Sequence, residues 1–114
     1  MLELLERWAN LEPERCRPEG GNIFEVLYQG EWYPVSSHHP ASHGTLISAL
    51  LEACQARDYL YSIERVPRGD SDATPQILVG VGMRDAWRSK EGDRLAHLVP
   101  ELLLSEYLGC VERD

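Results

Sequence analysis

Leu46, Ile47, Leu50, Leu51 and Cys54 recur at i, i+1, i+4, i+5 and i+8, which fixes an amphipathic helix near the middle of a 114-residue chain. Glu52, Gln55 and Arg57 fall outside that stripe and are expected to face outward. Strand-like segments lie on both sides of it. Before it, Phe24-Glu25-Val26-Leu27-Tyr28 and Glu31-Trp32-Tyr33-Pro34-Val35 flank Gln29-Gly30, a two-residue link suited to a tight hairpin. After it, Tyr59-Leu60-Tyr61-Ser62-Ile63-Glu64-Arg65-Val66 alternates, with Tyr59, Tyr61 and Ile63 on one face, and Gln76 to Met83 supplies a more buried strand.

Two further helices are expected at the ends. Leu4, Leu5, Trp8 and Leu11 form a first apolar stripe that Pro13 ends. Asp93 is placed to cap a last helix through Leu95, Leu98, Val99, Leu102, Leu103 and Tyr107, with Pro100 in its first turn or at a kink and Gly109 as its stop. Ser37 or Ser42 is the expected cap of the central helix. Pro13 to Asn22 has a loop composition, Pro67 to Pro75 reads as a mobile polar hairpin loop, and Arg84 to Gly92 is polar around Trp87 with room for an irregular edge segment. The order α-β-β-α-β-β-α predicts an α+β fold, a mainly antiparallel four-stranded sheet covered by helices, in one domain over residues 1–114.

Charge narrows the function. The 19 acidic residues exceed the 11 basic ones for a formal net charge of −8, which disfavours direct binding to nucleic acid or an anionic membrane and favours a partner with a basic surface. Glu3, Glu6, Glu12, Glu14, Glu19 and Glu25 crowd the first quarter and are expected to make an acidic end. No apolar run approaches the roughly 20 residues that span a bilayer, so a cytoplasmic protein is expected. Cys16, Cys54 and Cys110 are odd in number and lack a C-x-x-C pair, so they are expected to be reduced thiols. Cys54 falls on the core stripe. Cys16, between Arg15 and Arg17, is expected in a flexible loop, the one thiol whose pKa neighbouring charge could lower.

Few residues suggest chemistry. His38, His39 and His43 precede the central helix, and if His39 and His43 both lie within it they share a face at i, i+4, a metal-binding spacing, with His97 a fourth candidate. Pro40 follows His39, where H-E-x-x-H would carry its general base. No G-x-S-x-G elbow occurs, and Gly80-Val81-Gly82 lies inside a strand run without the residues that close a phosphate loop. Trp32, Tyr33, Tyr59, Tyr61 and Trp87, with Arg65, Arg84 and Arg88, gather near the strands, a combination suited to a protein interface or to a nucleotide-like planar anion.

The stretch from Trp32 to Leu108 resembles the phage "ABA sandwich" domain proteins. The matching features are Trp32-Tyr33, Ser36-Ser37, the helix through Leu46 to Ala56, Arg57-Asp58-Tyr59-Leu60-Tyr61, Gln76-Ile77-Leu78-Val79, and Gly92-Asp93 leading into Leu95 to Leu108. The Phe24 to Val35 hairpin departs from that pattern. The resemblance implies a non-enzymatic accessory protein of phage origin and carries no site residue across. The leading expectation is an acidic protein that binds a host protein and blocks a defence or nucleic-acid-handling system, without a cofactor. The alternatives are a homo-oligomer that sequesters a small nucleotide-like ligand, and a metal-dependent enzyme built on the histidine cluster.

Overall fold

A computed structural model describes residues 1–37, 39–66, 76–82, 89–92 and 99–113, with the backbone alone at 40, 65–66, 76–77 and 89–92. The helices are α1 (Leu2–Leu11), α2 (His43–Ala56) and α3 (Val99–Arg113). Strands β1 (Cys16–Gly20), β2 (Ile23–Tyr28) and β3 (Glu31–Ser36) form one antiparallel sheet in that order; β4 (Leu60–Val66), β5 (Gln76–Gly82) and β6 (Ser89–Gly92) form a second. The α+β class is therefore as expected. The single four-stranded sheet is not: the two hairpins belong to separate sheets, each enlarged by one further strand.

Strand β1 replaces the expected loop. Cys16, Arg17 and Pro18 pair with Val26, Glu25 and Phe24, and the register breaks between Pro18 and Gly20. Pro18 is tolerated because β1 is an edge strand, where a missing N–H need not interrupt a ladder. Gly20 and Gly21, at φ 125° and 59°, turn the chain into β2 through backbone conformations that side chains disfavour. On the other sheet, Ser89–Gly92 pairs with β5 inside the segment that was expected to hold an edge element.

The β2–β3 hairpin closes as its sequence predicts. Gln29 and Gly30 have φ of 50° and 81°, the double left-handed conformation of a type I′ turn, and Tyr28 pairs with Glu31. The Gln29 amide donates to Glu52 Oε2 at 2.8 Å, so the turn is tied to α2 and Glu52 is engaged.

Helix α2 buries Leu46, Ala49, Leu50, Ala53 and Cys54. Ser42 sits at its N-cap position, but the Ser42 hydroxyl accepts the Ser36 amide at 2.9 Å instead of capping the helix. At the other end Asp58, at φ 58°, reverses the chain: its amide donates to the Gln55 carbonyl at 3.1 Å and the Tyr59 amide to that of Cys54 at 2.9 Å. These two bonds are the Schellman pattern, with aspartate where glycine is usual. They deliver Tyr59 directly into the core, where its ring lies 6.0 Å from that of Tyr107.

Helix α1 buries Leu5 and Trp8, whereas Leu11, expected on the same face, is exposed. Pro100 lies in the first turn of α3, where its missing N–H is harmless. The expected stop at Gly109 does not occur, since α3 continues to Arg113. Asp93 and the Pro67 to Pro75 loop lie outside the described residues.

Glu12 joins the three helices. It immediately follows α1, is only 2% exposed, and so does not belong to the expected acidic end. Its Oε1 accepts the Trp8 indole N–H at 2.9 Å and the Tyr107 hydroxyl at 2.6 Å, while Oε2 accepts Arg57 Nε at 2.9 Å and lies 2.8 Å from Arg57 Nη2. Arg57, expected to point outward, is thus drawn inward from the C-cap of α2. Burial alone would raise the Glu12 pKa, but the bonds from Tyr107, Trp8 and Arg57 and the Arg57 charge outweigh it and hold the carboxyl below its ordinary 4.5.

The folded carboxyl therefore binds a proton less readily than the unfolded one. Its contribution to stability is present above pH 4.5 and is lost as pH falls through the lowered folded value. Glu12→Ala is expected to cost about 2–4 kcal/mol at neutral pH in chemical denaturation, because two buried donors and a cation lose their acceptor. The same variant should show a weaker fall in stability between pH 4.5 and the acid transition than the native chain.

Candidate functional site: a tyrosine-lined trough along α2

Beside its buried face α2 carries a second stripe, Gly44, Ser48, Glu52 and Gln55, bordered by Leu51, which is part-buried and packs against the core. Two adjoining hollows lie over it. The first, about 370 Å³, is lined by Tyr28, Tyr33, Gly44, Thr45 and Ser48. The second, about 240 Å³, is lined by Tyr28, Gln29, Ser48, Leu51, Glu52, Gln55 and Tyr61. Tyr28 and Ser48 belong to both, so the hollows form one trough along α2, with β2 and β3 on one side and Tyr61 of β4 at its far end.

Small residues keep the floor low. Gly44 has no side chain, and Ser48 follows it one turn later on the same face. The walls are aromatic with polar tips. Tyr28 and Tyr33 stand 6.3 Å apart at 57°, and Gln29 Nε2 donates to the Tyr28 hydroxyl at 3.3 Å. The Tyr33 hydroxyl donates to Glu31 Oε2 at 3.1 Å, and that bond together with the Glu31 charge raises the Tyr33 pKa. The trough thus offers aromatic faces, hydroxyls and carboxamides. The charged side chains among its described lining and margin are carboxylates, Glu52 and Glu31.

Of the residues expected to bind a ligand, Tyr33 and Tyr61 line this trough. Tyr59 does not, being buried against Tyr107. Trp32 cannot join Tyr33, because successive strand residues point to opposite faces. It lies on the other face of its sheet, with the Arg17 guanidinium 4.0 Å from the ring centroid. Arg65 sits on β4 opposite Ile77. Arg84, Trp87 and Arg88 lie outside the described residues. The expected single aromatic and arginine site is therefore not assembled among the described residues. Tyr28, Thr45, Ser48 and Gln55 were missed. The legible signal was the second stripe of α2, small or polar at helical spacing, which is easily dismissed as a solvated face.

The shared helical face expected of His39 and His43 does not occur, because α2 begins at His43 and His39 precedes the 3₁₀ turn Pro40–Ser42. His39 Nδ1 instead accepts the Ala41 amide at 3.2 Å. His38 and His97 lie outside the described residues. Among the described residues, no three histidine, cysteine, aspartate or glutamate side chains are placed to hold a metal ion.

The Cys16 thiol is also unlike its expectation. It is fully buried on β1, its Sγ 3.8 Å from the Leu5 carbonyl, and burial pushes its pKa up to about 12. Burial likewise pushes Cys54 up to about 12, with Cys110 and Glu12 adding to the shift. Cys110 is buried too, its Sγ 3.2 Å from the Val81 carbonyl. All three thiols should resist a soluble disulfide reagent in the native protein at pH 8 and react together on unfolding. Rapid native labelling of Cys16 would contradict this placement.

Comparison with known proteins adds no relative: no family model, curated protein or solved structure matches the chain.

Proposed function

We propose that the protein acts by binding, and that the trough along α2 receives an extended, basic segment of a partner protein. The carrying observation is the lining: aromatic faces and hydrogen-bonding groups along one helix, with carboxylates as the charged side chains at its described margin. Tyrosine supplies contact area with few rotatable bonds and a polar tip, a combination suited to protein recognition. The formal charge of −8 steers such a segment toward the trough. A nucleotide in the same place would require a cation for its phosphate, and the described lining presents carboxylates.

The resemblance of Trp32 to Leu108 to phage accessory proteins makes a host protein the proposed partner, with a defence or nucleic-acid-handling system as its setting. Carboxylates at the trough's margin would then compete with phosphate for the basic side chains of that segment.

Fluorescence anisotropy with extended peptides of matched apolar content, basic in one set and acidic in the other, tests the proposal. Basic peptides should bind, more weakly as salt rises. Ser48→Trp should fill the trough and weaken binding at least tenfold, about 1.4 kcal/mol, without altering the far-UV circular dichroism. Equal binding of acidic peptides, or unchanged affinity in the Ser48→Trp protein, would refute this reading.

A further inference from the structure

The four outer strands of the two sheets are not equally protected. β1 carries Pro18 and a break in register, β3 carries Pro34, and β6 has only four residues. Prolines, irregularities and shortness are the devices that stop an edge from pairing with another chain. β4 has none of these three, and its two charged residues, Glu64 and Arg65, are adjacent and opposite in sign. Its seven residues pair with β5 in unbroken register from Leu60↔Gly82 to Val66↔Gln76, and among the described residues its other edge has no strand beside it. It also exposes large apolar side chains on both faces: Leu60 is 41%, Tyr61 37% and Ile63 40% exposed. A long, regular, apolar edge of this kind is a template for strand addition.

We propose that β4 pairs antiparallel with β4 of a second copy of this chain, joining two three-stranded sheets into one of six strands. The sequence of β4 is self-complementary about Ile63. In that register Ile63 opposes Ile63 of the second copy, Tyr61 opposes Arg65, Ser62 opposes Glu64, and Leu60 opposes Val66. No like charges meet across the pair, whereas a register centred on Glu64 would set two carboxylates against each other. A second copy also covers the edge at all times, while an occasional partner would leave a free protein prone to aggregate through it. A two-fold axis through Ile63 makes the contact closed and isologous.

This pairing is independent of peptide binding in the trough. Tyr61 borders both, but Tyr33, Gly44 and Thr45 line the opposite end of the trough, which pairing leaves open. The two equilibria respond to salt in opposite directions. Screening relieves repulsion between two copies of formal charge −8, so added salt should strengthen the pair and weaken basic-peptide binding.

Light scattering coupled to size exclusion tests the proposal. The native chain should elute at twice 12.9 kDa, and Ile63→Lys and Ile63→Glu should each elute at 12.9 kDa, because each sets like charges on the axis. An equimolar mixture of the two variants should return to the doubled mass, with lysine opposing glutamate. Ile63 is already part-exposed, so circular dichroism should be unchanged. A native chain at 12.9 kDa at every concentration, a doubled mass retained by either variant alone, or a mixture that stays at 12.9 kDa overturns the proposal. If a variant fails to fold, hydrogen exchange on the native chain decides: Leu60–Val66 amides should exchange more slowly as protein concentration rises, and concentration-independent exchange overturns it.

Discussion

The fold depends on one buried carboxylate. Glu12 ends α1, takes the Arg57 guanidinium at the end of α2 and the Tyr107 hydroxyl from the middle of α3, and returns to its own helix through the Trp8 indole. Its backbone is equally occupied. The amide donates to the Trp8 carbonyl at 2.7 Å, and the Glu12 carbonyl accepts Arg15 at 2.9 Å and Cys16 at 3.1 Å, which starts β1. Taking a carboxylate and a guanidinium out of water is expensive, and their attraction repays it only when the other polar groups are satisfied. Here four bonds meet that demand. Removing one member therefore costs more than the junction contributes net, because the groups left behind stay buried without a partner.

That junction determines which surfaces remain for function. With α1 and α3 gathered at its end, α2 turns Leu46, Ala49, Leu50, Ala53 and Cys54 into the shared core and its Gly44, Ser48 and Gln55 stripe toward Tyr28, Tyr33 and Tyr61. The Gln29 amide on Glu52 fixes the nearer wall. On the second sheet α3 lies against β5 and β6, while Tyr61 and Ile63 on β4 remain part-exposed. The trough and the open edge are therefore both products of how the helices share the two sheets.

Periodicity made the central helix, the Gln29-Gly30 hairpin, β4 and β5 and the placement of Pro100 legible, because each is determined by residues close in sequence. β1 was hidden for the opposite reason. Its Pro18 and Gly20 favour turns locally, and only pairing with β2 makes it a strand. Glu12 and Arg57 looked like surface charges, since nothing in either neighbourhood reveals a partner 45 residues away. The Trp32 and Tyr33 pair shows the same limit within a strand: composition groups them, whereas alternation sends them to opposite faces.

The most direct test of the central role of Glu12 is a double-mutant cycle of Glu12→Ala and Tyr107→Phe, read by chemical denaturation. If the carboxylate fastens the end of α1 to α3, the two losses should be coupled by about 1–3 kcal/mol. Losses that add to within about 0.5 kcal/mol would mean that the two side chains act independently, and would contradict the account.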